Sequence, residues 1–200
     1  MKRLVIAVDC DDVLIPSQAF LVNTYNQLYG ANVELGQEFE DWGEDYDEVM
    51  RRCGEIAQSD AFKKLSPSPE GVSVLERLAQ HHELHLVTAR KAEERAFTEA
   101  AIERVLPGVF ASMEFIGWTA SKGEVCQRIG ADVLIDDNAH HLHGALEKGL
   151  PAGGALLFGN YPWNKANHDD KSLRLCVSWD AVEAVVASIS SGEDNGTHEP

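Results

Sequence analysis

The segment Val5-Ile6-Ala7-Val8-Asp9-Cys10-Asp11-Asp12-Val13-Leu14 constrains the fold more than any other stretch of the chain. A short, continuous run of apolar β-branched residues reads as a strand buried on both faces of a parallel sheet, since a strand with one face in water would alternate. This run ends in two carboxylates spaced two apart and then a third, before apolar residues return. At the carboxyl end of such a strand, acids stand where open α/β sheets bind their ligands. Crowded carboxylates raise one another's pKa unless a cation compensates. A hard, oxygen-liganded ion such as Mg²⁺ is the natural compensator.

Strand patterns recur at residues 4–8, 84–88, 113–116, 133–135, 155–158 and 173–177, and helical patterns separate most of them. That alternation predicts an α/β fold with a mostly parallel sheet. Several helix ends are legible. Ser68 precedes Pro69 and the apolar Val72, Leu75 and Ala79, an N-cap with Pro at the first helical position. Ser121 and Glu124 form a capping box before Val125, Cys126 and Ile129, with Gly130 as the stop. Phe97, Ala101 and Val105 share a helical face ended by Pro107-Gly108, and Asn138 caps a helix through Leu142, Ala145 and Leu146 that stops near Gly149.

Residues 15–67 break this rhythm. Ser17 starts a helix expected to bury Leu21, Tyr25 and Leu28, with Gly30 as its stop. A loop-like stretch carrying Phe39, Trp42 and Tyr46 follows, then a second helix through Val49, Cys53, Ile56 and Ala57. The interval holds no strand pattern and is too long for one crossover helix. It reads as a small helical cap placed over the carboxyl edge of the sheet; extra helices on the sheet's flank are the alternative. The expected organisation is a core of residues 1–14 and 68–190, a cap of 15–67 and a polar, disordered tail of 191–200. Asn195-Gly196-Thr197 matches a glycosylation acceptor, which carries little weight without an export signal.

A formal net charge of −16 over 200 residues disfavours binding to nucleic-acid backbones or anionic membranes. It leaves room for a small phosphorylated substrate, because a local cation and a few basic residues invert the field in one cleft. The four cysteines, Cys10, Cys53, Cys126 and Cys176, show no CxxC spacing and fit a reducing compartment. Met1-Lys2-Arg3 and the short run after it are too brief for a signal sequence or a membrane span, so the expected location is the cytoplasm.

The polar residues that end the strands complete the pattern. They are Asp9 and Asp11, then Thr88-Ala89-Arg90, then Asp136-Asp137, with Lys122 in the first turn of the capped helix between the last two. In a parallel sheet these ends share one edge. In order, they resemble the four motifs of the haloacid dehalogenase-like superfamily of phosphotransferases: DxDxV at Asp9–Val13, the hydroxyl Thr88, the lysine Lys122 and the acidic pair Asp136-Asp137. The resemblance spans residues 4–158 and implies a Rossmann-like three-layer sandwich.

By that resemblance Asp9 is the nucleophile that forms an aspartyl-phosphate. Asp11 protonates the leaving alkoxide and then activates water. Thr88 and Lys122 hold the phosphoryl group, and Mg²⁺ sits on Asp9, Asp11 through its backbone carbonyl, and Asp136, with Asp137 close by. Asp12 is expected to face away from the metal and to bind backbone amides. Within the superfamily the chain is similar to the 5′(3′)-deoxyribonucleotidases and their bacterial relatives: Val13 stands where many relatives carry Thr, the chain is short, the cap holds aromatics, and Phe158-Gly-Asn-Tyr-Pro-Trp-Asn164 follows the fifth strand. Residue 89 is Ala where those enzymes often carry a small hydroxyl or a turn residue, so a phosphate contact there is missing or replaced by Arg90.

The implied activity is a Mg²⁺-dependent phosphomonoesterase for nucleoside 5′-monophosphates. Its substrate contacts are expected from Thr88, Ala89, Arg90, Lys122 and, as stacking platforms for a base, Phe20 and Trp42, with Phe39 and Tyr46 as further candidates. Two rivals stand beside it: a phosphatase for a sugar phosphate or phosphoglycolate, and a non-catalytic binding module on the same scaffold. The expected partner is a small phosphorylated metabolite, with the chain a monomer or homodimer. Cys10 reads as buried filler, His81-His82 as a helix end, and His140, His141 and His143 as a helix face rather than a zinc site.

Overall fold

The computed structural model of the chain describes residues 1–117 and 120–193. Asn195-Gly196-Thr197 and most of the expected tail lie outside the described residues. Six strands, β1 (Val5–Val8), β2 (Glu83–Thr88), β3 (Phe110–Phe115), β4 (Val133–Asp136), β5 (Ala155–Phe158) and β6 (Arg174–Cys176), form one sheet in the order β3-β2-β1-β4-β5-β6. Every pair in it is parallel. The strands fall where their apolar runs predict. The largest shift is at β3, which starts at Phe110, because polar Ser112 and Glu114 interrupt the apolar pattern of this edge strand.

Alternation along the central strands sorts the core into two faces. Ile6, Val8, Leu84, Leu86, Val133 and Ile135 point to one side and meet helices α4 (Pro69–Ala79), α5 (Arg95–Glu103) and α8 (Trp179–Ser191) through Leu75, Leu78, Ile102, Trp179 and Val182. Ala7, Val87, Leu134 and Leu157 point to the other and meet α6 (Lys122–Ile129) and α7 (Ala139–Glu147) through Val125, Cys126, Leu142 and Ala145. The result is the three-layer α/β sandwich expected for strands buried on both sides. Both β1 neighbours belong to different halves of the sheet, so the strand order reverses at β1 and opens a crevice at its carboxyl end.

The expected caps form. Ser68 accepts from the Gly71 amide, Asn138 from the His140 amide, and Gly130 ends α6 in the left-handed conformation. Ser121 also caps α6, but it accepts from Gly123 rather than completing a box with Glu124. On α5 the buried face carries Thr98, Ala101 and Ile102, one step round the helix from the expected Phe97 face. Helix α8 runs to Ser191, so the start of the expected tail is helical.

Between β1 and α4 the chain forms α1 (Ser17–Tyr29), α2 (Tyr46–Ala57) and a single turn, α3 (Asp60–Lys63). These helices enclose a cluster of their own, built on Val22, Tyr25, Val33, Trp42, Val49, Cys53 and Ile56. Leu28, expected to be buried, is 63% exposed, and Val22 takes its place on the inner face of α1. The two chain crossings into this unit lie side by side, joined by a 2.9 Å hydrogen bond from the Ser68 amide to the Leu14 carbonyl. All four cysteines are free and buried, and no described helix is long and apolar enough to cross a membrane.

Helices α6 and α7 touch where Gly123 meets the Gly144 carbonyl, so closely that a Cβ on Gly123 would collide with that backbone. A Cβ on Gly144 would meet open space. Gly123→Ala should therefore destabilise the fold by about 1–3 kcal/mol through overpacking. Gly144→Ala, inside a helix with room to spare, should stabilise it by about 0.5–1 kcal/mol. Urea unfolding of the two variants against wild type measures both signs.

Candidate active site

Parallel register brings the predicted residues together. Val8 of β1 pairs with Ile135 of β4, so the next residues along, Asp9 and Asp136, end neighbouring strands. Asp9 continues the ladder by donating its amide to the Ile135 carbonyl at 3.0 Å. On the other side Val8 pairs with Leu86, which sets Thr88 at the end of β2 beside the same crevice. Lys122 is the first residue of α6, and its ammonium lies 2.7 Å from Asp9 Oδ1 and 2.7 Å from Asp136 Oδ2. All three side chains are buried.

Asp9, Asp136 and Asp137 each bring one carboxylate oxygen within 4.8 Å of the others, an arrangement able to hold a metal ion. Lys122 reaches two of these acids, so the cluster carries more negative charge than the lysine neutralises. The pKa shifts follow. Burial pushes the Asp9 carboxyl up to about 7; Lys122 opposes the shift, and Asp136 and Asp11 add to it. Burial, with repulsion from Asp136 and Asp9, also pushes Asp137 well above the usual carboxylate range. For Lys122 burial works against the charge, but Asp136 and Asp9 outweigh it and hold the ammonium protonated. Hard oxygen donors, crowded together and under-neutralised, are the ligand set that a divalent cation such as Mg²⁺ prefers.

Asp11 has a different partner. Its carboxylate is gripped by Arg90 at 2.9 Å from Nε and 2.6 Å from Nη2, the bidentate geometry of a strong ion pair. The side chain therefore stands outside the three-carboxylate group that could hold a metal. Arg90 is itself fixed: Nη1 donates to Thr98 Oγ1 at 2.8 Å, and the guanidinium lies 5.4 Å from the Phe62 ring and 5.9 Å from the Phe97 ring. Thr88 is fully buried and accepts from the Arg90 amide at 3.1 Å, which leaves its hydroxyl proton free to donate.

Asp12 turns away from the cluster. Its carboxylate accepts from the Gln18 amide at 3.1 Å and lies 3.4 Å from the Ser17 hydroxyl, so it closes the start of α1. Its φ of 57° puts a non-glycine residue in the left-handed region, which turns the chain sharply after Asp11. Cys10 is buried, as filler should be. His82 accepts from the Leu4 amide, and His143 pairs with Asp170. His141 is held down to about 4, first by burial and then by the Lys122 charge.

Beyond Asp11 a cavity of about 430 Å³ opens between the sheet edge and the inserted helices. Its lining includes Gln18, Leu21, Phe39, Tyr46, Phe62 and Arg90, and Ala89 contributes to its wall. Of the aromatics considered from the sequence, Phe39 and Tyr46 face this cavity. Trp42 instead packs on Tyr25 and Phe39 within the helical unit, donating its indole N–H to the Gln37 carbonyl at 3.0 Å. Phe20 meets Phe62 edge to face, so it supports the wall from behind. Three contacts escaped sequence reading: the Arg90 grip on Asp11, Phe62 over Arg90, and Trp163, whose indole N–H donates to Asp137 Oδ2 at 2.7 Å. The aromatic segment after the fifth strand pointed to the last region without revealing its partner.

Residues 3–190 match the family described as 5′ nucleotidase, deoxy (pyrimidine), cytosolic type C protein (NT5C). Among curated proteins, none matches. Solved structures share the fold at low identity. A hydrolase of the haloacid dehalogenase-like family from Streptococcus pneumoniae is 14% identical with a TM-score of 0.65, covering 92% of this chain and 98% of its own. A protein described as a candidate β-phosphoglucomutase from Thermotoga maritima is 16% identical, also with a TM-score of 0.65, covering 94% of this chain and 100% of its own. One described as a predicted phosphoglycolate phosphatase, from Haemophilus somnus 129PT, is 15% identical with a TM-score of 0.62, covering 93% and 99%.

The raised Asp9 carboxyl makes a measurable demand on stability. A carboxyl whose folded pKa of about 7 lies above its ordinary value of 3.8 favours the native state fully only below 3.8, and that contribution is lost as pH rises through 7. Asp9→Asn removes the ionisation. In metal-free buffer its stability relative to wild type should climb between pH 4 and pH 7, with a limiting slope of about 1.4 kcal/mol per pH unit, and then level off. Denaturant unfolding across that range checks it; a pH-independent difference would contradict the shift.

Proposed function

The chain belongs to the 5′-nucleotidase family matched over residues 3–190, among the haloacid dehalogenase-like hydrolases, and is a phosphatase; from that premise we propose that it hydrolyses nucleoside 5′-monophosphates through a phosphorylated Asp9, with Mg²⁺ as cofactor. The observation that carries the reading is the buried Lys122 ammonium shared by Asp9 and Asp136, with Asp137 completing an under-neutralised cluster beside it. A phosphate monoester repels nucleophiles by its own charge, so a site for it must neutralise and position more than it must supply a strong base.

The residues that would hold the cation are Asp9, Asp136 and Asp137 with the Asp11 carbonyl. Bound there, Mg²⁺ screens the charge of the phosphoryl oxygens. With Oδ1 on Lys122, Asp9 has its second oxygen free to attack phosphorus. The P–O bond to the sugar breaks as the new one forms; released by Arg90 and carrying a proton taken from solvent, Asp11 passes that proton to the departing alkoxide. Asp11 then takes a proton from water, which displaces Asp9 and releases inorganic phosphate. Thr88 donates to a phosphoryl oxygen, and Lys122 offsets charge on both Asp9 and the phosphate. Arg90 aims Asp11 and stands at the cavity wall, within reach of the substrate's phosphate or sugar.

Supporting a nucleotide, the cavity beyond Asp11 pairs an apolar aromatic wall with a few polar groups, the composition that suits a base and its sugar. The helices between residues 17 and 63 act as the cap of this cavity, hinging near residues 14–17 and 65–68. Their closure would exclude water while the leaving group departs. Four buried thiols suit a cytoplasmic setting.

A panel of nucleoside monophosphates, sugar phosphates and phosphoglycolate, assayed with Mg²⁺ and with EDTA, tests substrate and cofactor together. Preference for nucleotides and loss of activity in EDTA are expected; equal turnover of sugar phosphates would transfer the reading to the rival substrate class. Asp9→Asn should lower kcat by at least about 10³-fold. For Asp11→Asn, the first phosphorylating turnover should slow by about 10²-fold or more on a nucleotide. It should slow far less on p-nitrophenyl phosphate, whose leaving group needs no proton. Equal losses on both, read by quench flow, would deny Asp11 the role of acid.

A further inference from the structure

The loop after β5 grips the acidic segments from outside. Gly159, at φ 82°, lets the Tyr161 ring fold back over it, where a Cβ would collide with that ring. The Tyr161 and Trp163 rings stack with centroids 4.5 Å apart and planes 6° off parallel. Between them, Pro162 presses on Gly36 of the helical insertion, where again no Cβ would fit. Asn164, almost wholly buried, donates to the Phe158 carbonyl at 2.9 Å and the Asp137 carbonyl at 3.1 Å, and accepts from the Tyr161 amide at 3.1 Å. The loop is thus a folded, internally bonded object. Besides the Asn164 bond to the Asp137 carbonyl, its two aromatic rings reach the acidic segments: the Tyr161 hydroxyl donates to the Asp12 carbonyl at 2.6 Å, and the Trp163 indole donates to Asp137 Oδ2 at 2.7 Å.

The second contact differs from the first, because it lands on a carboxylate of the candidate metal cluster. Asp9 and Asp136 are both oriented by Lys122, whereas the Asp137 carboxylate is oriented by the indole. We propose that Trp163 is a positioning residue of the divalent-cation site, its N–H holding one oxygen of Asp137 so that the other stays turned toward Asp9 and Asp136. The proposal rests on the reading that this cluster binds such a cation. A neutral donor suits the task. It fixes the rotamer of the carboxylate without bringing a positive charge that would repel the metal, as a second lysine would. Hydrogen bonds of this kind, behind a ligand, typically govern 10–100-fold in metal affinity.

Manganese(II) serves as the probe, its free signal read by electron paramagnetic resonance during titration of the full chain without substrate. Wild type is expected to bind one ion. Trp163→Phe leaves an aromatic ring to stack on Tyr161 but deletes the N–H, and should weaken Mn²⁺ binding by about 10–100-fold. Its kcat should recover toward wild type at saturating Mg²⁺, because the cluster itself is intact. Tyr161→Phe, which deletes the hydroxyl to the Asp12 carbonyl, should leave Mn²⁺ affinity unchanged. On an Asp137→Asn background, Trp163→Phe should add no further loss, since the two act as one unit. Melting in EDTA confirms that each variant is folded. Wild-type affinity in Trp163→Phe, or a full additional loss on the Asp137→Asn background, overturns the proposal while leaving the cation site standing. A wild type that binds no Mn²⁺ removes the site and the proposal together.

Discussion

One buried ammonium organises the centre of this protein. Lys122 has 1% of its surface exposed, and it sits between Asp9 and Asp136 at 2.7 Å from each. Stripping water from a lysine and two carboxylates costs several kcal/mol per ion unless geometry and hydrogen bonds repay it. Here the fold supplies that geometry from three directions. The β1–β4 register sets the two acids side by side, the Ser121 cap starts α6 beneath them, and the absence of a side chain at Gly123 lets α6 approach α7 closely enough to seat the lysine. The interaction is a fixed point that the sheet, the helix pair and the acids all have to satisfy at once.

Around that point, four neighbouring acids are given four different environments. Asp9 shares the lysine and sits at the end of a central strand. Asp11 is committed to Arg90, Asp12 to the amide at the start of α1, and Asp137 to an indole. Chemically identical residues gathered at one sheet edge are thereby given separate settings by their hydrogen-bond partners, and burial raises the pKa of those left without enough positive charge.

Much of this was legible in the chain, for identifiable reasons. Strands buried on both faces announce themselves as uninterrupted apolar runs, and the acids that end them are their immediate sequence neighbours, so Asp9, Thr88 and Asp136 could be placed on one edge before any coordinates. Lys122 could be placed because a capped helix begins with it. What stayed hidden depends on contacts between distant segments that no local pattern encodes. Arg90 finds Asp11 across 79 positions and Trp163 finds Asp137 across 26. Face assignments on short amphipathic helices failed for a related reason. Leu28 and Val22 both fit a helical stripe with Tyr25, and only the packing of α1 against Trp42 and its neighbours selects Val22. Trp42, an apparent platform, was needed inside the small core of the insertion.

The hydrogen bond from Ser68 to Leu14 has a further meaning. Where a chain leaves a scaffold and returns to it within the span of one bond, the scaffold is indifferent to what lies between, since lengthening such an excursion adds little entropic cost. The sheet, its acids and its lysine form a finished chassis whose ends are already joined. On the proposed reading, the helices from 17 to 63 become a replaceable cassette: exchange them, and the same phosphate chemistry would face a differently shaped guest.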